Sequence, residues 1–355
     1  MTETMITIGH GNTVGRYRLA NLRKHVVLCL LLAAVVLVFL ADIATGPAWY
    51  GLDDVLKTVL MPADAQPQMR VVIWSIRMPS ALMAIVVGMA LATAGVQMQT
   101  VLNNPLASPF TLGISSAASF GAALALAFGL SFIPVAGDYI VAVNAFIMAL
   151  GSALIIHSVG LRRGSSVQTI VLLGIALVFS FNTALAMVQY FANDQAVAAI
   201  VFWTMGSLTK ATWPKLAVTV AVLVLTIPIF VYRRWQLTAL RLGEARAASF
   251  GIPVRRLRLE TLVLISLLSS IPVAFVGTIG FVGLVAPHIA RMLVGEDQRH
   301  LLPASAMIGA LIMSSSSTVA KVLVPGAVLP IGVITAVIGL PVFFYLILRG
   351  GRETW

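Results

Sequence analysis

Few side chains in this chain are equipped for chemistry, and their spacing argues against most of it. The five lysines (Lys24, Lys57, Lys210, Lys215, Lys321) never fall in a G-x-x-x-x-G-K-[ST] loop, so the chain has no phosphate cradle of its own for ATP. The five histidines (His10, His25, His157, His288, His300) are scattered and form no metal-ligand pair at helical spacing. No metal and no cofactor is expected. No nucleophile stands beside a base, which leaves catalysis with little support. The twelve acidic residues, among them Asp42, Glu244, Glu260 and Glu296, lie in loops or at the ends of apolar runs. A proton- or sodium-coupled carrier usually holds an ionisable group near the bilayer midplane, and none is found there.

What remains is charge of one sign. Tyr232–Arg258 carries seven arginines (Arg233, Arg234, Arg241, Arg246, Arg255, Arg256, Arg258) between long apolar runs. Embedded in it is Gly243–Pro253, a short helix-forming segment ended by Gly251 and Pro253. Such a block cannot lie in lipid, and the positive-inside rule assigns it to the cytoplasm. A small folded element presented there offers a place for a partner to dock.

The elements that position this block are hydrophobic. The 355 residues are 59% hydrophobic and only 10% charged, with a mean hydropathy of +1.00; a soluble domain carries about 25% charge. Apolar runs of roughly 20 residues match a bilayer-spanning helix, and their continuity excludes the alternating pattern of a membrane barrel. No cleavable signal peptide is evident, because the first apolar run, His25–Ala44, is long enough to span. The one cysteine, Cys29, lies in that run and excludes an intramolecular disulfide.

Spans at about 25–44, 80–102, 111–129, 139–158, 168–190, 213–232, 259–281, 285–295, 301–320 and 330–348 give ten crossings with both ends inside. On that reading 17 of the 23 Lys and Arg are cytoplasmic. The net charge of +11 is therefore topological rather than a nucleic-acid footprint. Residues 1–24 form a cytoplasmic N-terminal segment, 25–348 the transmembrane domain, 232–258 its cytoplasmic loop and 349–355 a cytoplasmic tail. The eighth span is the weakest, being short and carrying Pro287, His288 and Arg291.

A weak internal repeat runs through the chain: Gly95 precedes Pro105 by ten residues, and Gly277 precedes Pro287 by ten. Five crossings separate the copies, so they are inverted relative to each other, a common way to build a transporter around Gly/Pro-broken helices. Pro105 and Pro109 each remove a backbone donor, making Asn103, Asn104 and Ser108 candidate partners for the freed groups.

Several blocks in order resemble the permease subunits of FecCD-type ABC importers, which take up ferric siderophores, cobalamin or haem. They are Arg77-Met-Pro, Asn104-Pro-Leu-Ala-Ser-Pro with Leu112-Gly, Trp203-Thr-Met-Gly-Ser, and Gly243-Glu-Ala through Gly251-Ile-Pro. Gly280-Phe-Val-Gly-Leu-Val-Ala-Pro-His-Ile-Ala-Arg, Leu329-Pro-Ile-Gly-Val-Ile-Thr-Ala and Gly339-Leu-Pro complete the set. The resemblance covers about Arg16 to Arg352. It implies an all-α polytopic fold of ten transmembrane helices in a bacterial inner membrane. The partners it implies are a second permease subunit (identical or paralogous), two ATPase subunits and a periplasmic binding protein, with membrane lipid around them.

The resemblance also implies roles for individual residues. Gly243, Glu244, Ala245, Gly251, Ile252 and Pro253 belong to the loop that couples to the ATPase, with Glu244 facing a basic group of that partner. Arg77 falls at a binding-protein docking position. A second docking arginine is Ser80 here, its charge lost or supplied by Arg70; a third is Lys321; and a glutamate expected seven residues after Lys321 is Val328. The fifth span lines the pathway, with Ser165, Ser166 and Gln168 at its cytoplasmic entrance, Asn182 inside and Gln189 near the outer end. Trp203, Gly206 and Ser207 sit on a short outer helix. Asn104, Pro105, Pro109 and Pro287 mark the bent helices. The cargo it implies is a ferric-siderophore-type chelate, with cobalamin or haem as the alternative. An ion-coupled secondary transporter is the rival from another class.

Overall fold

In the computed structural model, residues 10–46, 50–133, 137, 139–160, 167–324 and 326–350 are described. Among them the fold is helical throughout. The helices are α1 (His10–Ala44), α2 (Leu52–Leu60), α3 (Pro67–Val71), α4 (Met78–Val101), α5 (Ile114–Phe128), α6 (Ile140–Gly160), α7 (Val167–Phe191) and α8 (Asp194–Thr204). They continue with α9 (Trp213–Tyr232), α10 (Arg234–Leu240), α11 (Glu244–Ser249), α12 (Val254–Val276), α13 (Val282–Val294), α14 (Gln298–Val322) and α15 (Ile331–Gly350). A π-turn, Val72–Arg77, joins α3 to α4 into one continuous helix.

Among the described residues seven helices are long and apolar enough to cross a membrane, and three shorter apolar stretches (α5, α13 and Ile331–Tyr345 of α15) raise the set to the ten expected from the sequence. The short ones are explained by what precedes them. Fifteen residues of α5 rise only about 22 Å, less than the roughly 30 Å hydrocarbon core. The remaining depth is taken by the irregular stretch 102–113, whose Ala107, Ser108 and Leu112 are buried. Non-helical backbone is tolerated at such depth when protein covers it.

The centre of the molecule is α4, packed against α12, α13 and α14. Glycines set the spacing. A Cβ on Gly88 would lie 2.3 Å from the Gly309 carbonyl oxygen, and one on Gly95 would lie 1.8 Å from that of Gly283. Only glycine admits backbones this close, the small-residue packing that membrane helices use in place of a hydrophobic drive. Gly283 is the residue four before Pro287, so its carbonyl has lost its usual helical donor; it lies instead against Gly95. By contrast α1 and α7 are mostly uncovered, with 11% of each apolar window buried against 83% for Pro67–Val101.

Two sequence expectations change here. Pro105 and Pro109 do not bend a helix: α4 stops at Val101, and both prolines sit in the turns before α5. Two missing donors four residues apart, with Asn103 at φ 40°, end the helical ladder outright. Pro287 does lie inside a helix, α13. In addition α1 begins at His10, so most of the proposed N-terminal segment is continuous with the first span.

Candidate functional site

The arginine-rich end is an ordered helical loop. Helix α10 is followed by a turn at Arg241–Gly243, then α11, then a second turn into α12. Gly251 has φ 76°, the left-handed conformation that closes α11 at little cost only in glycine. The loop's underside is apolar and buried: Leu237, Leu240, Ala247 and Ile252 all pack into the main core. Its outer side carries Trp235, Leu242 and Phe250, each more than half exposed, with the Trp235 and Phe250 rings 6.2 Å apart. Of the residues predicted to couple, Gly251, Pro253, Glu244 and Ala245 are exposed, whereas Ile252 is a core residue.

Much of the arginine charge is paired within the chain. Arg258 donates to Glu244, Arg233 and Arg256 hold Glu260, and Arg241 Nη2 donates to Glu296 Oε1 at 2.8 Å. Glu296 Oε2 also accepts from Arg291 Nε at 3.2 Å. Glu244, expected to meet a basic group of a partner, thus meets Arg258 of its own chain, and it holds α11 against the start of α12.

Hydrogen bonds run from this loop into the membrane core. Thr238 of α10 accepts from the Gln298 backbone N–H at 3.2 Å. The Gln298 side chain donates to Thr100 Oγ1 at 3.0 Å and accepts from Gln97 Nε2 at 3.1 Å. Gln97, Thr100 and Gln298 are almost wholly buried, where a lost hydrogen-bond partner costs about 1–3 kcal/mol. Arg241 also donates to Asn103 Oδ1 at 3.3 Å, tying the loop to the turn between α4 and α5. Within that turn Asn104 Oδ1 accepts from the Leu106 N–H at 2.9 Å, and Ser108 and Thr111 exchange hydrogen bonds, while the Val101 carbonyl, whose helical donor Pro105 lacks, accepts from Arg258 Nε at 3.3 Å. Sequence reasoning missed Thr238 and Gln298 because an amide and a hydroxyl some 60 residues apart carry no motif.

Gln168, at the start of α7, lines a cavity of about 370 Å³ together with Asn103, Gly243, Glu244 and Arg258. Gln168, one of the three residues expected at the pathway entrance, thus lies beside the arginine-rich loop. Farther along α7, Asn182 is exposed and Gln189 half-buried, on a helix that, like α1, has little cover. Ser165 and Ser166 lie outside the described residues.

At the opposite end three irregular segments meet. Ser207 N–H donates to the Val276 carbonyl at 2.7 Å, Ile331 N–H to Gly206 at 3.1 Å, and Gly332 N–H to Met205 at 2.9 Å. Thr278 Oγ1 donates to the Thr204 carbonyl. Gly206 is buried, Trp203 and Ser207 partly so; Trp203 lies in the last turn of α8, and the other two follow the helix. Two of the sequence blocks, far apart in the chain, and the residues just before a third thus form one backbone junction.

The predicted docking cations are mostly turned inward. Pro79 cannot donate to Ser75; the ladder widens, and Met78 N–H bonds to Ile73, five residues back. The π-turn carries Arg77 to the C-terminus of α1, where Nη1 donates to the Ile43 and Ala44 carbonyls at 3.0 and 2.9 Å and the guanidinium lies 5.0 Å from the Tyr50 ring centroid. Lys321 Nζ donates to Asp42 Oδ1 at 2.8 Å and to the Asp42 carbonyl at 3.1 Å. Asp42, fully buried, also accepts from Ser317 at 3.1 Å and Thr318 at 3.3 Å. It is indeed at a span end, as the sequence suggested, but not in solvent. Of the three cations Arg70 is exposed; Arg77 is buried and Lys321 largely covered. Val328 is exposed and Ser80 buried.

The profile of the FecCD transport family matches residues 30–349. The chain is 35% identical to the hemin transport system permease protein of Yersinia pestis, over 90% of this chain and 96% of that one. It is 38% identical to the vitamin B12 import system permease protein of Vibrio vulnificus, over 77% and 82%. Its fold matches an ABC transporter of proposed metal-chelate type solved in an inward-facing conformation, with a TM-score of 0.78 at 31% identity, covering 91% of this chain and 98% of the other.

Proposed function

The chain belongs to the FecCD transport family, as a multi-pass ABC importer permease, and on that premise we propose that it passes a ferric-siderophore-type iron chelate inward across the bacterial inner membrane. Both termini and the arginine-rich loop face the cytoplasm, where two ATPase subunits bind and supply the driving force. A second permease subunit covers α7, and a periplasmic binding protein delivers cargo at the opposite end. The observation that carries this reading is the loop itself. It exposes Trp235, Leu242 and Phe250 while its underside is wired through Thr238 and Gln298 to buried α4. Large aromatic side chains exposed as a cluster mark protein interfaces.

The cargo class is supported by the relatives, whose names specify hemin and vitamin B12, both bulky metal chelates. A pathway that passes such cargo without retaining it suits the small and apolar residues of Gly174–Met187 on α7. The test is reconstitution in liposomes with the ATPase and binding protein. Uptake of a radio-iron siderophore is expected with ATP and absent with only an imposed pH gradient. Accumulation under the gradient alone, without ATPase subunits, would overturn the reading in favour of a secondary carrier. ATP-driven uptake of cobalamin or haem in preference to the siderophore would reassign the cargo.

A further inference from the structure

Where the arginine-rich loop runs into α12, its end at Pro253–Arg256 borders the seam in which α6 and α9 flank α12. At its arginine-rich end the seam opens into a groove of about 850 Å³. The walls are apolar, formed by Ile229, Leu259, Val263 and Leu264, and the rim carries Arg255 and Arg256. Arg256 shares Glu260 with Arg233, while no carboxylate among the described residues pairs with the exposed Arg255. Three guanidiniums thus face one carboxylate, leaving a positive rim above an apolar trough. His157, in the wall, keeps Nδ1 shielded from solvent without a hydrogen-bond partner. A second apolar groove of about 330 Å³ lies at the other end of the same three helices, between Phe146, Val218 and Phe275, with Lys215 at its edge.

We propose that the arginine-rich groove seats an anionic phospholipid, its phosphate on Arg255 and Arg256 and its acyl chains against Ile229, Val263 and Leu264. The charge pattern selects this occupant. A soluble anion would have no use for the apolar wall, and a zwitterionic lipid would gain little from the surplus cations. Basic pockets between membrane helices on the cytoplasmic side hold anionic headgroups for this reason. The helix geometry agrees, since α12 is a membrane-length helix whose first turn supplies both arginines, at headgroup depth. The inference rests on the orientation proposed above, with the arginine-rich end in the cytoplasm.

The test is native mass spectrometry of the purified full-length chain, offered phosphatidylglycerol or phosphatidylcholine of matched chain length. With about 1 kcal/mol for each arginine near an anionic surface, phosphatidylglycerol is expected to be retained about thirtyfold better. Arg255→Gln with Arg256→Gln should bring the two lipids to parity, and Val263→Trp, which fills the trough, should reduce retention of both. Equal retention of both lipids by the wild-type chain, or unchanged retention in both variants, would overturn the proposal. Displacement by millimolar inorganic phosphate would assign the site to a free anion instead. Displacement on adding the ATPase subunits would assign the groove to that protein. None of these readouts involves uptake, so the transport reading stands or falls separately.

Discussion

Replacing Lys321 by methionine separates two roles for this residue. In the structure its ammonium holds Asp42, a carboxylate with no solvent exposure. Methionine keeps the packing volume and removes the charge, leaving Asp42 buried without a counter-ion. Breaking a buried pair from one side typically costs 3–5 kcal/mol. Asp42 retains two hydroxyl donors, Ser317 at 3.1 Å and Thr318 at 3.3 Å, which soften the loss. The lower end of the range, about 3 kcal/mol or roughly a hundredfold in the unfolding equilibrium, is therefore expected. Adding Asp42→Asn removes the stranded charge and keeps an acceptor for Ser317, so the double variant should recover to within about 1 kcal/mol of the parent. The assay is reversible unfolding in mixed micelles by titration with dodecyl sulfate, run on both single variants and the double. If Lys321 instead serves a partner at the surface, Lys321→Met should lower binding-protein affinity in a salt-dependent way and leave unfolding untouched. Stability of Lys321→Met within about 0.5 kcal/mol of the parent, with additive effects in the double variant, would refute the internal assignment.

Two further outcomes are expected. Phe250→Ala, at an exposed position of the coupling loop, should leave membrane insertion unchanged and weaken co-purification with the ATPase by about thirtyfold, the scale of an interfacial aromatic anchor worth about 2 kcal/mol; undiminished co-purification would remove it from the interface. Gly95→Ala must move α4 and α13 apart from 1.8 Å toward an ordinary 3.4 Å contact, and should destabilise the fold by about 1–3 kcal/mol in the same micelle assay, whereas Gly15→Ala, with nothing nearby, should not.

The number of apolar helices and the position of the arginine-rich loop were legible in the sequence because both are one-dimensional signals: apolar run length and arginine density. The short eighth apolar run also forms a helix, α13. Pairing was not legible. Asp42 and Lys321 are separated by 279 residues, and neither neighbourhood announces the other. Arg77 read as an outer cation because its sequence context is a span end; the π-turn that swings it inward depends on Pro79 and on the C-terminus of α1 being there to receive it. Glu244 lies in the arginine-rich loop, yet its partner is Arg258, fourteen residues on, across a turn whose closure only the structure displays. The helix breaks were anticipated from prolines, but their form was not. A proline announces a missing donor without saying whether the chain bends or stops.

The buried amides of α4 also bear on how the protein is made. Gln97 finds its hydrogen-bond partner in Gln298, 201 residues later in the chain. At synthesis rates of about 5–20 residues per second, α4 emerges roughly 10–40 s before α14 exists. Through that interval a helix carrying Gln97 and Gln99 lacks the Gln298 and Leu284 partners that their side chains bond in the finished fold. Such a segment is poorly suited to lipid alone, whereas α1, whose middle is uniformly apolar, can enter at once. Assembly of this subunit therefore calls for a polar shelter beside the nascent chain, whether the insertion machinery or a chaperone, that holds α4 until the last third of the sequence arrives.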